Sequence, residues 1–76
     1  MKKRYHGIGQ RFSELRGERS YRKFAKDVKI SDSLLQRYET SGGLPSVENL
    51  ILLAKHENVN LHWLLMNEGL MLQRGN

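Results

Sequence analysis

Two short amphipathic segments joined by almost nothing constrain this chain more than any other feature. The first opens at Ser20, whose hydroxyl can accept a bond from first-turn amides, and runs to Val28. The second opens at Ser31 and runs as a helix from about Asp32 to Glu39. Only Lys29 and Ile30 lie between Val28 and Ser31, so the two helices must meet at a tight angle, as a bent pair. Projected at about 100° per residue, Tyr21, Phe24, Ala25 and Val28 form one stripe of the first helix, and Arg22, Lys23, Lys26 and Asp27 form the other. The second helix divides the same way. Leu34, Leu35 and Tyr38 share one arc, and Asp32, Ser33, Gln36 and Arg37 project together from the opposite one.

The remaining segments supply what such a pair needs to bury. Ile8, Phe12 and Leu15 recur at helical spacing and stop at Gly17, a C-terminal cap residue, with Arg11, Glu14 and Glu18 expected on the solvated side. Downstream, Val47, Leu50, Ile51, Leu53 and Ala54 are expected to pack over the first two helices, and Asn58 to close that segment. Asn60 caps a final helix bearing Leu61, Leu64 and Leu65. About five helices and no alternating strand make the expected fold class all-α. With 76 residues the chain is one domain, and folding withdraws only roughly 60% of the unfolded surface from water, so the core is lean. The expected division is a basic arm over 1–7, a helical body over 8–69 and a tail over 70–76. Leu52, Trp63, Met66, Leu70, Met71 and Leu72 are not obviously needed by that core. They are expected to form an exposed apolar patch that pairs two copies as a homodimer, with a place in the core as the alternative for Trp63.

Charge is lopsided. Met1 to Glu39 holds eleven Lys and Arg against five Asp and Glu, whereas Thr40 onward holds two against three. A concentrated positive field favours polyanionic partners through counterion release, although a basic solvated surface is also common in small domains. The longest apolar run, Leu50 to Ala54, is far below the ~18 residues needed to span a bilayer. Tyr5-His6-Gly7 follows the basic start where a secretion signal needs an apolar stretch, and there is no cysteine, so a cytoplasmic setting is expected.

Chemistry-bearing constellations are missing. Gly7-Ile8-Gly9 has no preceding strand and no third glycine, so it reads as a helix start, not a dinucleotide loop. His56 and His62 fall on different segments without cysteine or a zinc-binding spacing, and His6 belongs to the arm. No nucleophile elbow, paired carboxylates or phosphate-cradling loop is present. The chain is therefore expected to be no enzyme and to use no metal, cofactor or small-molecule ligand.

Ser20 through Thr40 resembles the helix-turn-helix of the Cro and phage-repressor family, the XRE-type, lambda-repressor-like domains. That pattern has apolar residues where this chain has Phe24, Val28, Ile30, Leu35 and Tyr38, and a small residue at Ala25. Tyr38-Glu39, Pro45-Ser46, Val47 to His56 and Val59 to Leu65 are similar to the family's downstream helices, so the resemblance covers roughly Ile8 to Gly69. Trp63-Leu64-Leu65 followed by Glu68-Gly69 looks like the end of the DNA-binding domain in larger phage repressors.

The resemblance implies a five-helix fold that reads double-stranded DNA. Asp32, Ser33, Gln36 and Arg37 then become base-edge candidates: Arg can fork onto guanine, Gln onto adenine, and Asp can accept from cytosine. For Asp32 the competing reading is a first-turn acid stabilised by the helix dipole, and for Gln36 and Arg37 a solvated face. Tyr21, Arg22, Lys23 and Lys26 correspond to phosphate contacts, with core packing the alternative for Tyr21. Lys2, Lys3 and Arg4 correspond to an arm that orders on DNA.

Two positions depart from the pattern. Lys29 stands where glycine is usual, which costs on the order of 1 kcal/mol if the backbone is left-handed. The loop Thr40 to Leu44 lacks basic residues, leaving the amides of Gly42 and Gly43 to face phosphates. The implied role is a transcriptional regulator, a repressor by preference, dimeric on a pseudo-palindromic operator. It is either Cro-sized or the DNA-binding part of a longer repressor, prokaryotic or phage-encoded. A different class on the same fold is an antitoxin-like module whose main partner is a protein.

Overall fold

In a computed structural model, residues 7–73 are described and form five helices: α1 (Ile8–Arg16), α2 (Tyr21–Val28), α3 (Asp32–Thr40), α4 (Val47–Glu57) and α5 (Leu61–Met66). The α1 helix packs on α3 and α5, and α2 packs on α3 and α4, so α3 is gripped from two sides. The all-α expectation holds. Among the described residues the one strand-like feature is a single antiparallel bridge between Val59 and Leu72.

Local signals set the helix ends. The hydroxyls of Ser20, Ser31 and Ser46 accept from the amides of Lys23, Leu34 and Asn49 at 3.1–3.2 Å, each satisfying a first-turn donor that has no partner within its own helix. The Asn60 side chain does the same for the His62 amide, and Gly17 and Asn58 close α1 and α4 with positive φ. The core joins Ile8, Phe12 and Leu15 of α1 to Phe24, Val28, Ile30, Leu35 and Tyr38, with Leu53, Val59, Trp63 and Leu64 closing it from the C-terminal half. Gly9 serves the packing of α1 on α3: a β-carbon there would overlap the carbonyl of Glu39.

Four expectations are corrected. Arg11 is not on a solvated face; it is 7% exposed. Its Nε donates to the carbonyl of Leu64 at 2.8 Å and a terminal nitrogen reaches that of Leu65 at 3.4 Å. These carbonyls belong to the last turn of α5, the negative end of that helix, so a cation without a carboxylate partner is accommodated there and ties α1 to α5. Val47 and Ile51, expected inside, are 73% and 59% exposed. Trp63, expected on the surface patch, is 8% exposed within the core, and Leu52 and Met71 are half-buried against it. The cause is common to these apolar cases: α4 and α5 carry apolar residues almost all round, and their own periodicity does not choose the buried face. Finally, residues 70–73 of the expected tail turn back onto the body. The Asn60 amide donates to Met71 at 2.8 Å and the Gln73 amide to Asn58 at 2.9 Å.

Candidate nucleic-acid interface

The α2–α3 turn is the hinge of the site. Lys29 adopts φ 65° and ψ 33°, and its amide closes α2 by donating to Ala25 at 2.8 Å. The turn thus keeps the left-handed geometry that glycine adopts most readily, with a lysine bearing the strain. Ile30 is buried and pins the turn to the core, and Ser31 immediately starts α3.

The α3 helix is held on its inward side by Leu35 and Tyr38 and at its C-terminal end by a polar hub. The largely buried Glu39 carboxylate accepts from Arg16 Nε at 2.7 Å, from a second Arg16 nitrogen at 3.2 Å and from the Tyr21 hydroxyl at 3.0 Å. The Arg16 guanidinium lies 4.4 Å above the Tyr21 ring. Burial raises the Tyr21 hydroxyl above its ordinary pKa, and the Glu39 hydrogen bond raises it further. The same carboxylate raises the Arg16 guanidinium. On the other side the Tyr38 hydroxyl accepts from Asn49 of α4 at 2.9 Å. One hub therefore ties α1 and α2 to α3, and a second bond ties α3 to α4.

With its inward side fixed, α3 presents Asp32, Ser33, Gln36 and Arg37 together to solvent. Among the described residues, none of these four side chains makes a hydrogen bond or an ion pair. Their neighbours differ. Arg16 is spent on Glu39, and Arg19 on Asp27 at 3.0 Å and Glu57 at 2.8 Å, which raises the Arg19 pKa chiefly through Glu57. Lys23 pairs with Asp27 at 2.8 Å, and the Asp27 carboxyl is held low by Lys23 first and Arg19 second.

The field anticipated from eleven cations is consequently narrower on the folded surface. Among the described residues Arg22, Lys26, Lys29 and Arg37 are exposed and outside any ion pair, whereas Arg11, Arg16 and Arg19 work inside the fold.

The other anticipated site residues are distributed as follows. Tyr21 is half-buried with its hydroxyl engaged by Glu39, and Arg22 and Lys26 stand on the exposed side of α2. Gly42 has φ 75°, and neither its amide nor that of Gly43 donates to another described group. A β-carbon at Gly43 would come within 3.0 Å of Arg37 Cδ, so this glycine leaves room for the Arg37 stem. Lys2, Lys3 and Arg4 lie outside the described residues. Met66 and Leu70 are exposed, unlike Trp63 and Met71. Sequence reading missed the Arg16–Tyr21–Glu39 hub. Its members lie on three helices, and no spacing along the chain announces their meeting.

The model of a family described as helix-turn-helix matches residues 13–64, more than half of the 76-residue chain, from within α1 into α5. Comparison with curated proteins and with solved structures gave no match. The match contains the α2–α3 turn, the Glu39 hub and the outward polar side of α3, and the chain belongs to the helix-turn-helix family, in its Cro-type form.

Proposed function

We propose that this domain binds double-stranded DNA with sequence preference, as a transcriptional regulator and by preference a repressor. In this reading α3 lies in the major groove. One observation carries it: Asp32, Ser33, Gln36 and Arg37 form a shared, solvent-facing polar row without partners among the described residues, on a helix whose other side is immobilised. Arg37 and Gln36 supply donor patterns suited to guanine and adenine edges, and Asp32 an acceptor for cytosine. Arg22 and Lys26, with the open amides of Gly42 and Gly43, suit flanking phosphates and fix the register of α3. Lys23 and Tyr21 join them only by exchanging their present carboxylate partners. Two copies on a pseudo-palindromic site would place their α3 helices about 34 Å apart. The setting proposed is the cytoplasm, and no catalytic step, metal, cofactor or small molecule enters the reading.

The test is selection from a randomised duplex pool at near-physiological salt, followed by affinity measurements on the enriched sequence. Arg37→Ala is expected to relax preference at one base pair. Lys26→Gln is expected to weaken all duplexes alike and reduce the salt slope by about one. Equal loss of preference from both variants overturns the assignment. A second reading, a protein-binding module, draws on the exposed apolar side chains of Val47, Ile51 and Leu70. It is favoured if no motif is enriched and only low-salt binding persists.

A further inference from the structure

The outward side of α4 is unusual for a solvated helix. Val47, Ile51, Ala54 and Asn58 follow one another at intervals of four, three and four residues, a line that stays on one face, and its first two members are among the most exposed large apolar residues. Leu44, just ahead of the helix, is half exposed as well. Glu48 and Lys55 stand seven residues apart along one flank of that line, both exposed and neither in an ion pair among the described residues.

That arrangement is self-complementary in one orientation. When two identical helices pack antiparallel about a two-fold axis, matching flanks face each other with their ends reversed. Glu48 of each copy then meets Lys55 of the other, twice over, beside the Val47–Ile51–Ala54 line. In a parallel pair the Glu48–Lys55 flank would instead face the opposite flank, where Leu50 and Glu57 turn inward toward the core. We propose that α4 is the surface through which two copies of this chain associate, antiparallel and isologous.

The other exposed apolar group, Met66, Leu70 and Leu72, has no such guide, because the nearby His62 imidazole and Glu68 carboxylate already meet within the chain at 3.0 Å. The inference deepens the two-fold reading above and assigns its contact to α4. The apolar line is short against the ~800 Å² per partner of a standard interface, so the association is weak.

Sedimentation of the full chain without DNA, from about 10 µM to about 1 mM, tests the proposal at the concentrations a weak interface requires. A concentration-dependent dimer is expected, weakened about tenfold by either Glu48→Lys or Lys55→Glu and restored to within about twofold when both are combined. Ile51→Lys is expected to abolish it and Leu70→Ser to leave it unchanged, with helix content by circular dichroism constant because all these side chains are exposed.

A monomer throughout the range overturns the proposal, as does a double variant that fails to recover. A dimer lost with Leu70→Ser but indifferent to Ile51→Lys moves the contact to the C-terminal patch. Since no DNA is present, the outcome is independent of the duplex selection.

Discussion

The α3 and α4 helices begin alike and end up facing opposite worlds. Each starts from a serine that caps its third amide, and each lays an apolar side on the α1–α2 core. What they turn outward differs: Asp32, Ser33, Gln36 and Arg37 from α3, Val47, Ile51 and Glu48 from α4. A polar outward row has to be held still to be read by a partner, and α3 is held by Leu35, the Tyr38–Asn49 bond and the Glu39 hub. An apolar outward line needs only to be covered. The two faces thus suit different work: α3 directional hydrogen bonding, α4 a contact driven by removing surface from water.

The sharpest way to break this comparison is within α4. Leu53→Ala should cost about 2–5 kcal/mol, because a fully buried leucine leaves a cavity, whereas Ile51→Ala should stay within about 0.5 kcal/mol in dilute protein. Equal losses by urea denaturation would show that α4 does not sit with Ile51 outward. Next comes the anchorage of α3. Glu39→Gln removes the charge that Arg16 and Tyr21 both address and is expected to lower stability by about 2 kcal/mol, the scale of hydrogen bonds to an ionised group. Sequence preference on duplex should fall further than this loss alone explains if the hub positions α3; loss of stability with preference intact would separate the hub from recognition.

A smaller effect of opposite sign is expected at the turn. Lys29→Gly relieves the left-handed strain and should raise stability by about 0.5–1 kcal/mol, partly offset by the greater freedom of the unfolded chain. A decrease in the melting temperature would mean the lysine stem earns more through contacts than its backbone loses. The smallest effect concerns pH. Asp27 is held below its ordinary pKa by Lys23 and then Arg19, so its contribution is present above the unfolded value near 4 and is lost as pH falls below it. The difference in melting temperature between the wild type and Asp27→Asn should therefore shrink on acidification from about pH 5 to about pH 2, and a constant gap would refute the pairing.

How much of this was legible beforehand depended on pattern contrast. In α2 and α3 the apolar and polar residues separate cleanly, and Phe24, Val28, Leu35 and Tyr38 are buried where their spacing indicates. In α4 nearly every position of the first two turns is apolar or uncharged apart from Glu48, so exchanging Ile51 for Leu53 as the buried side costs the pattern little. Arg11 was illegible for another reason: its acceptors are backbone carbonyls of Leu64 and Leu65, which carry no side-chain signature. Glu39 was visible as the last acid of a helix but not as the meeting point of Arg16 and Tyr21.

By itself the sequence determined the elements and their ends. Serine, asparagine and glycine caps act through local hydrogen bonds and local backbone preference, and the two-residue link between Val28 and Ser31 leaves the α2–α3 pair little choice of angle. It also determined which side of α3 carries donors and acceptors. Only the tertiary structure decided which side of α4 meets the core, that Trp63 lies inside, and which cations remain on the surface once Arg11, Arg16 and Arg19 have found acceptors far along the chain. The reason is physical: capping and turns are fixed by atoms a few residues apart, whereas burial and ion pairing depend on what the rest of the chain brings into contact.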